Sequence, residues 1–369
     1  MVPAQSVTAR GAGLGVAVAS LAVFLVVHPW GAAALRMTGN VWADQAEVPL
    51  FLFWYASAFV LAVLLGRQDP PLGLFVAYVA ALGLYWPTYE GVAIVQYVMA
   101  AGLFVLAVRP LAGFGLARRA LLGALILGAM LQAVYAGVQT FGYDPAWFGW
   151  ISRADMKPIG SIRSTNMLAI YLAVIAPLAP PLVAVVLVGG ILLSKSALGL
   201  LAVSAGLLVR YRARLGRPRW AWASLMAVVT LGVIGLLHAT PQWSALARLK
   251  IWHVGIADTL SAPVFGWGLG GWAERVPPLI RALGAPGPHD TPTHAHNELV
   301  QWAHEGGLLG LLIVAIGVWW HRGLWRHPAL GGAVTAAVIA CLGHAPLHLA
   351  TTALPIVVVY GLATAEAEA

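Results

Sequence analysis

Apolar runs of roughly 16 to 25 residues, closed by Arg, Pro or short polar stretches, recur along almost the whole chain. A helix needs about 20 apolar residues to cross the hydrocarbon of a bilayer. A transmembrane barrel would instead alternate over segments of about ten, and no such alternation is present. The pattern predicts an all-α polytopic membrane protein of about 12 transmembrane helices. The expected spans are 13–28, 49–66, 71–87, 91–108, 118–140, 165–179, 181–194, 196–210, 219–238, 297–320, 328–345 and 350–363. The short segments between Pro180 and Arg210 read either as two spans or as one long broken span. Two stretches interrupt the pattern, 141–165 and 239–295. The second is rich in Pro and Gly but carries Trp243, Trp252, Phe265, Trp267 and Trp272, too aromatic for a disordered linker. It is expected to fold over one mouth of the bundle, with an amphipathic helix near 246–260. The chain then divides into an N-terminal bundle (1–238), a capping loop (239–296) and a C-terminal three-span segment (297–369).

Composition sharpens this picture. Charged residues make up 9% of the chain and hydrophobic ones 60%, which excludes an ordinary soluble domain. The net charge of +8 does not point to nucleic acid, because the larger share of the basic residues sits in short segments beside helix ends and the rest is spread over the two long loops. Arg210, Arg212, Arg214, Arg217 and Arg219 form the densest such cluster and read as a cytoplasmic anchor. That orientation puts both termini in the cytoplasm and both long loops outside. Arg10 before an apolar run and Ala32-Ala33-Ala34 also allow a signal peptide, but His28-Pro29-Trp30 reads as the membrane exit of an uncleaved span. Cys341, the sole cysteine, lies in an apolar run as a packing residue.

Against this background 294–310 stands out, with His294, His296, Asn297, Glu298, Gln301, His304 and Glu305 leading into an apolar helix. Polar groups at that depth are costly and line a cavity or pack on a cap. Asn297 or Thr293 can cap the helix, and Asn297, Gln301 and Glu305 recur every four residues on one face, with His304 beside them. Gly306 and Gly310 form a GxxxG packing motif. His296, at the helix N-terminus, reads as a neutral base for a sugar hydroxyl or as a hydrogen-bonded interfacial histidine. A metal set of His289, Asp290, His294, His296 and His304 is the weaker reading, because the spacing lacks H-E-x-x-H. Arg163, Lys195 and Arg248 flank the outer loops and suit phosphate oxygens, with solvated or snorkelling charges as the alternative. The run Gly266-Trp267-Gly268-Leu269-Gly270-Gly271 is a turn, since no βαβ unit surrounds it. Neither D-x-D nor G-x-S-x-G occurs, and no inverted repeat supports a transporter.

The pair His296-Asn297, followed nine residues later by Gly307-x-x-Gly310, resembles the C-terminal signature of the O-antigen ligase and O-antigen polymerase superfamily of membrane glycosyltransferases. The resemblance spans roughly 160–320. Residues 161–169 look like the family's segment in which an Asn, here Asn166, opens a helix after a loop bearing a basic residue, here Arg163. Arg248 with Trp252, Pro263 and Gly266-x-Gly268 is similar to its Arg, Trp and Pro/Gly turn. Lys195 stands where many members carry Ser-Arg, and Leu311 where a Thr often follows the second Gly; both are departures. The resemblance implies a metal-independent, cofactor-free, inverting transfer of a glycan from a polyprenyl (undecaprenyl) pyrophosphate. The acceptor it implies would be a hydroxyl of a glycan or lipid A core on the periplasmic side of a bacterial inner membrane. His296 would be the base, Arg163, Arg248 and Lys195 the pyrophosphate ligands, and Asn297, Glu305 and Asn166 their supports. A ligase is favoured; a polymerase or protein O-oligosaccharyltransferase shares the donor. A lipid-linked glycan transporter is disfavoured, because the ionisable groups read as lying at the membrane edges rather than its midplane.

Overall fold

The computed structural model describes residues 69–85, 89–144, 149–150, 158–162, 164–212, 243–283, 292–348 and 350–368. The expected spans 13–28, 49–66 and 219–238, together with Arg163, His289 and Asp290, lie outside the described residues. Helices stand at the other expected spans. They are α1 (Pro70–Tyr85), α2 (Tyr89–Ala112), α3 (Gly115–Thr140), α4 (Thr165–Ile175), α5 (Pro181–Ser194), α6 (Ala197–Tyr211), α9 (Glu298–Trp320), α10 (Pro328–Gly343) and α11 (Ala350–Glu368). The capping loop contributes α7 (Trp243–Thr259) and α8 (Gly271–Ala282). The first stands where a helix was expected, though Leu249 and Ile256 on it are exposed and no single apolar face forms; the second was not anticipated. Tyr143–Asp144 and Gly149–Trp150 form a small antiparallel pair in the other loop. Among the described residues, Gly115–Thr140 and Glu298–Arg326 are long and apolar enough to cross a membrane, and the other apolar helices are shorter.

Local chemistry starts these helices where the sequence changes character. Asp69 Oδ1 accepts the Leu72 N–H at 3.1 Å ahead of Pro70, and Ser196 Oγ accepts the Gly199 N–H at 3.2 Å. At the centre lies α4, buried on every side from Met167 to Ile175. Small residues let its neighbours approach. A Cβ on Gly199 would lie 2.4 Å from Ala169 Cβ, and one on Gly206 2.7 Å from the Gly332 carbonyl oxygen. Close backbone approach through Gly and Ala is how helices associate where lipid removes the hydrophobic drive. Large apolar side chains such as Leu131, Leu182, Leu192, Leu308 and Leu312 point outward instead.

The segment between Pro180 and Arg210 is two helices. The chain reverses at Lys195, whose backbone is left-handed at φ 54°. α6 then runs parallel to α4. Ser196 Oγ donates to Asn166 Oδ1 at 2.8 Å at one end, and Arg210 Nη1 donates to the Pro177 carbonyl at 2.7 Å and to that of Ala179 at the other. The N-termini of α4, α6, α9 and α11 and the C-terminus of α10 thus share one end of the bundle. The opposite end is tied by Asp69, which accepts from Tyr360 Oη (2.9 Å) and Arg109 Nη1 (3.4 Å), with His321 Nε2 3.1 Å away. Nothing in the sequence pattern singled out that cluster.

Candidate active site

The polar helix α9 is not continuous. Gly307 has φ 62° and ψ −164°, and a Cβ there would lie 2.4 Å from the Val264 carbonyl oxygen. Such a break strands backbone groups that must be paired elsewhere. The Pro/Gly turn of the capping loop pairs most of them. Trp267 N donates to the His304 carbonyl (2.8 Å) and Gly268 N to that of Glu305 (3.0 Å). Leu308 N and Leu309 N donate to the carbonyls of Pro263 (2.8 Å) and Val264 (3.1 Å), and the Tyr78 hydroxyl of α1 to that of Gly306 (2.6 Å). Gly266, at φ 70°, is needed for the same approach, since a Cβ would meet Glu305 backbone at 2.5 Å. The GxxxG pair, Gly306 and Gly310, makes room for Trp302 of the same helix and for Tyr78.

Side chains lock the loop further. Asp258 of α7 accepts two bonds from Arg275 of α8, both 2.9 Å, and lies 2.9 Å from His304 Nε2. The Arg275 guanidinium holds the Asp258 carboxyl below its ordinary range, and itself stacks 3.4 Å from the Trp267 ring centroid. Glu305 is buried, accepts from Gln301 Nε2 at 3.1 Å and takes hydrogen bonds from the first N–H groups of α8, at Gly270 and Trp272. The Glu305 carboxyl oxygens thus serve a helix N-terminus that has no side-chain cap of its own.

His296 sits just before this scaffold. Asn297 caps α9, its Oδ1 accepting from Leu299 N (3.0 Å) and Val300 N (3.2 Å), and His296 turns the chain into it with a left-handed φ of 53°. Its Nδ1 is buried without a partner among the described residues, and its ring stands edge-on to His344, centroids 4.9 Å apart at 90°. Burial, and then the Arg248 charge, lower its pKa to about 4. Arg248 Nη1 donates to the Gly343 carbonyl at 3.0 Å, on the residue before His344. His294 packs on His348 with centroids 4.7 Å apart, and burial and then its histidine neighbours lower it to about 4 as well. His348 Nε2 lies 3.0 Å from Gln301 Nε2, and its Nδ1 3.3 Å from the Glu298 carboxylate.

The structure therefore brings together His296, Asn297 and Arg248, with Glu305 behind them. Lys195 and Asn166 stand beside Ser196 at the start of α6, one contact away through Leu198, against which Gly343 packs. Lys195 is exposed. Among the described residues no group of three His, Cys, Asp or Glu side chains converges as metal ligands do. Sequence reasoning missed His344, His348, Asp258 and Arg275. The signal for the first two was there: a His-x-x-x-His interrupting two apolar runs at the same membrane edge as His296.

Residues 182–315 match the family model described as O-Antigen ligase. The match takes in Lys195, Arg248, His296, Asn297 and Glu305, and leaves Asn166 and Arg163 just before it. No curated protein matches the chain.

Proposed function

With the O-antigen ligase and polymerase family as the assignment that residues 182–315 support, we propose that this membrane enzyme transfers a glycan from a polyprenyl (undecaprenyl) pyrophosphate to an acceptor hydroxyl at the outer face of the bacterial inner membrane. The observation that carries the reading is His296. It is neutral, set at a helix N-terminus, and within the field of a half-buried arginine that no described carboxylate neutralises.

The chemistry is one displacement. His296 takes the proton of the acceptor hydroxyl as its oxygen bonds to the anomeric carbon. The bond from that carbon to the bridging phosphate oxygen breaks, and the polyprenyl pyrophosphate leaves with the electron pair. Arg248, with Lys195 and Arg163, offsets the charge that develops on it. Backside attack inverts the anomeric carbon. The proton on His296 then passes to water. An imidazole near pKa 4 is a weak base; burial is the larger cause and the Arg248 charge the smaller, and the phosphates of a bound donor offset the second and so raise His296 in part. Asn297 and Glu305 hold the helix end that aims the ring, and Asn166 supports the start of α6.

The acceptor is a lipid A core sugar in the ligase reading; the polymerase and protein-transferase readings change the acceptor alone. Reconstituted protein given undecaprenyl-pyrophosphate-linked glycan and a lipid A core acceptor should form product with inverted anomeric configuration, and chelators should leave the rate unchanged. Retention of configuration, or activity lost to a chelator and restored by a divalent ion, overturns the mechanism.

A further inference from the structure

We propose that His344 is a second ligand of the donor's pyrophosphate, donating a hydrogen bond from Nε2 beside Arg248. The assignment rests on the donor proposed above and adds a residue that lies outside the matched segment.

The tautomer follows from one contact. The Ala345 backbone N–H donates to His344 Nδ1 at 2.9 Å, so that nitrogen is an acceptor and carries no proton. Protonating the ring fully would set N–H against N–H. His344 is therefore neutral with its proton on Nε2, the one remaining polar atom of the ring, and can act there only as a donor. His296 differs in kind, because its Nδ1 has no partner among the described residues. Two histidines in edge-to-face contact thus divide the work. One can accept the hydroxyl proton, and the other offers a fixed donor.

What the donor serves follows from its neighbour. The His344 backbone is extended at the C-terminus of α10, and the carbonyl just before it holds Arg248 at 3.0 Å. Arg248 has no carboxylate partner among the described residues; Asp258 on its own helix and Glu305 on α9 are both engaged elsewhere. A half-buried guanidinium left for an anion, anchored on the carbonyl of the residue that precedes a neutral N–H donor, with the base edge-on to that donor's ring, matches a pyrophosphate better than a single charge does.

The test is pyrophosphate binding, which does not depend on glycosyl transfer. Detergent-solubilised full-length protein is titrated with inorganic pyrophosphate in magnesium-free buffer, as wild type, Arg248→Ala, His344→Phe and His344→Gln. Phe keeps a ring against His296 but removes the donor, and Gln restores an N–H. His344→Phe should weaken binding roughly tenfold, with His344→Gln recovering most of it. If Arg248→Ala weakens binding and His344→Phe does not, or if Gln binds as weakly as Phe, the His344 assignment fails and the donor reading stands. If Arg248→Ala also binds like wild type, both fail.

Discussion

His296 occupies a left-handed backbone that costs a β-carbon residue about 1 kcal/mol or more, a cost found where geometry serves function. His296→Ala should lose roughly two to four orders of magnitude in transfer rate while donor binding survives. A variant turning over near the wild-type rate would remove the base. The pH behaviour has a defined sign. The folded value of about 4 lies below the free imidazole's 6.5, so between them the unfolded chain binds a proton that the folded chain does not. The contribution of His296 to stability is whole above pH 6.5 and is lost as pH falls toward 4. In kinetics, the acid limb of kcat/KM, which reports the free enzyme, should lie well below that of an ordinary histidine. The limb of kcat should lie higher, because bound donor offsets Arg248. Coincident limbs in a pH–rate profile would refute that coupling.

At the scale of elements, the broken α9 and the turn zipped into it form one unit. Gly307→Ala combines a backbone conformation open almost only to glycine with a Cβ 2.4 Å from a carbonyl oxygen that has no room to shift. It should lower the thermal midpoint by an amount equivalent to more than about 2 kcal/mol, read by melting of the purified protein. Asp258→Ala should cost about 1–3 kcal/mol and lower transfer as well, because the loop it secures carries Arg248. His304→Ala, which removes one of the three bonds to Asp258, should be milder on both counts. Equal effects from the two substitutions would show that the loop is held by something other than this network. The helix caps and periods here were legible in sequence. The break was not, since Gly306-Gly307 inside an apolar run also fits an unbroken helix and a GxxxG seam.

For the whole molecule the expected outcome concerns sidedness. The arginine cluster 210–219 is expected to lie on one side of the membrane and the capping loop on the other. In a Cys341→Ala background, cysteines placed at Arg214 and at Trp267 should react with an impermeant thiol reagent from opposite sides of sealed membranes. Labelling from one side would invert the topology. The described contacts agree with this arrangement. Arg210 and the Asp69 cluster share one end of the bundle, and His296, Arg248 and Lys195 the other.

What the chain determined by itself was what a few adjacent residues can encode. Apolar runs place the helices, Asn297 caps the polar one, and a density of polar groups at 294–305 marks where lipid cannot lie. What only the tertiary structure decided was which distant groups meet. The reversal at Lys195 makes two helices of a stretch that reads equally as one. The break at Gly307 requires backbone partners from 263–268 and from Tyr78, and His296 acquires Arg248 and His344 from other elements. The reason is physical: hydrophobic period and capping act over single turns of chain. The partner of a buried polar group is set by whichever remote element closes over it, because leaving that group unpaired costs more than any local preference supplies.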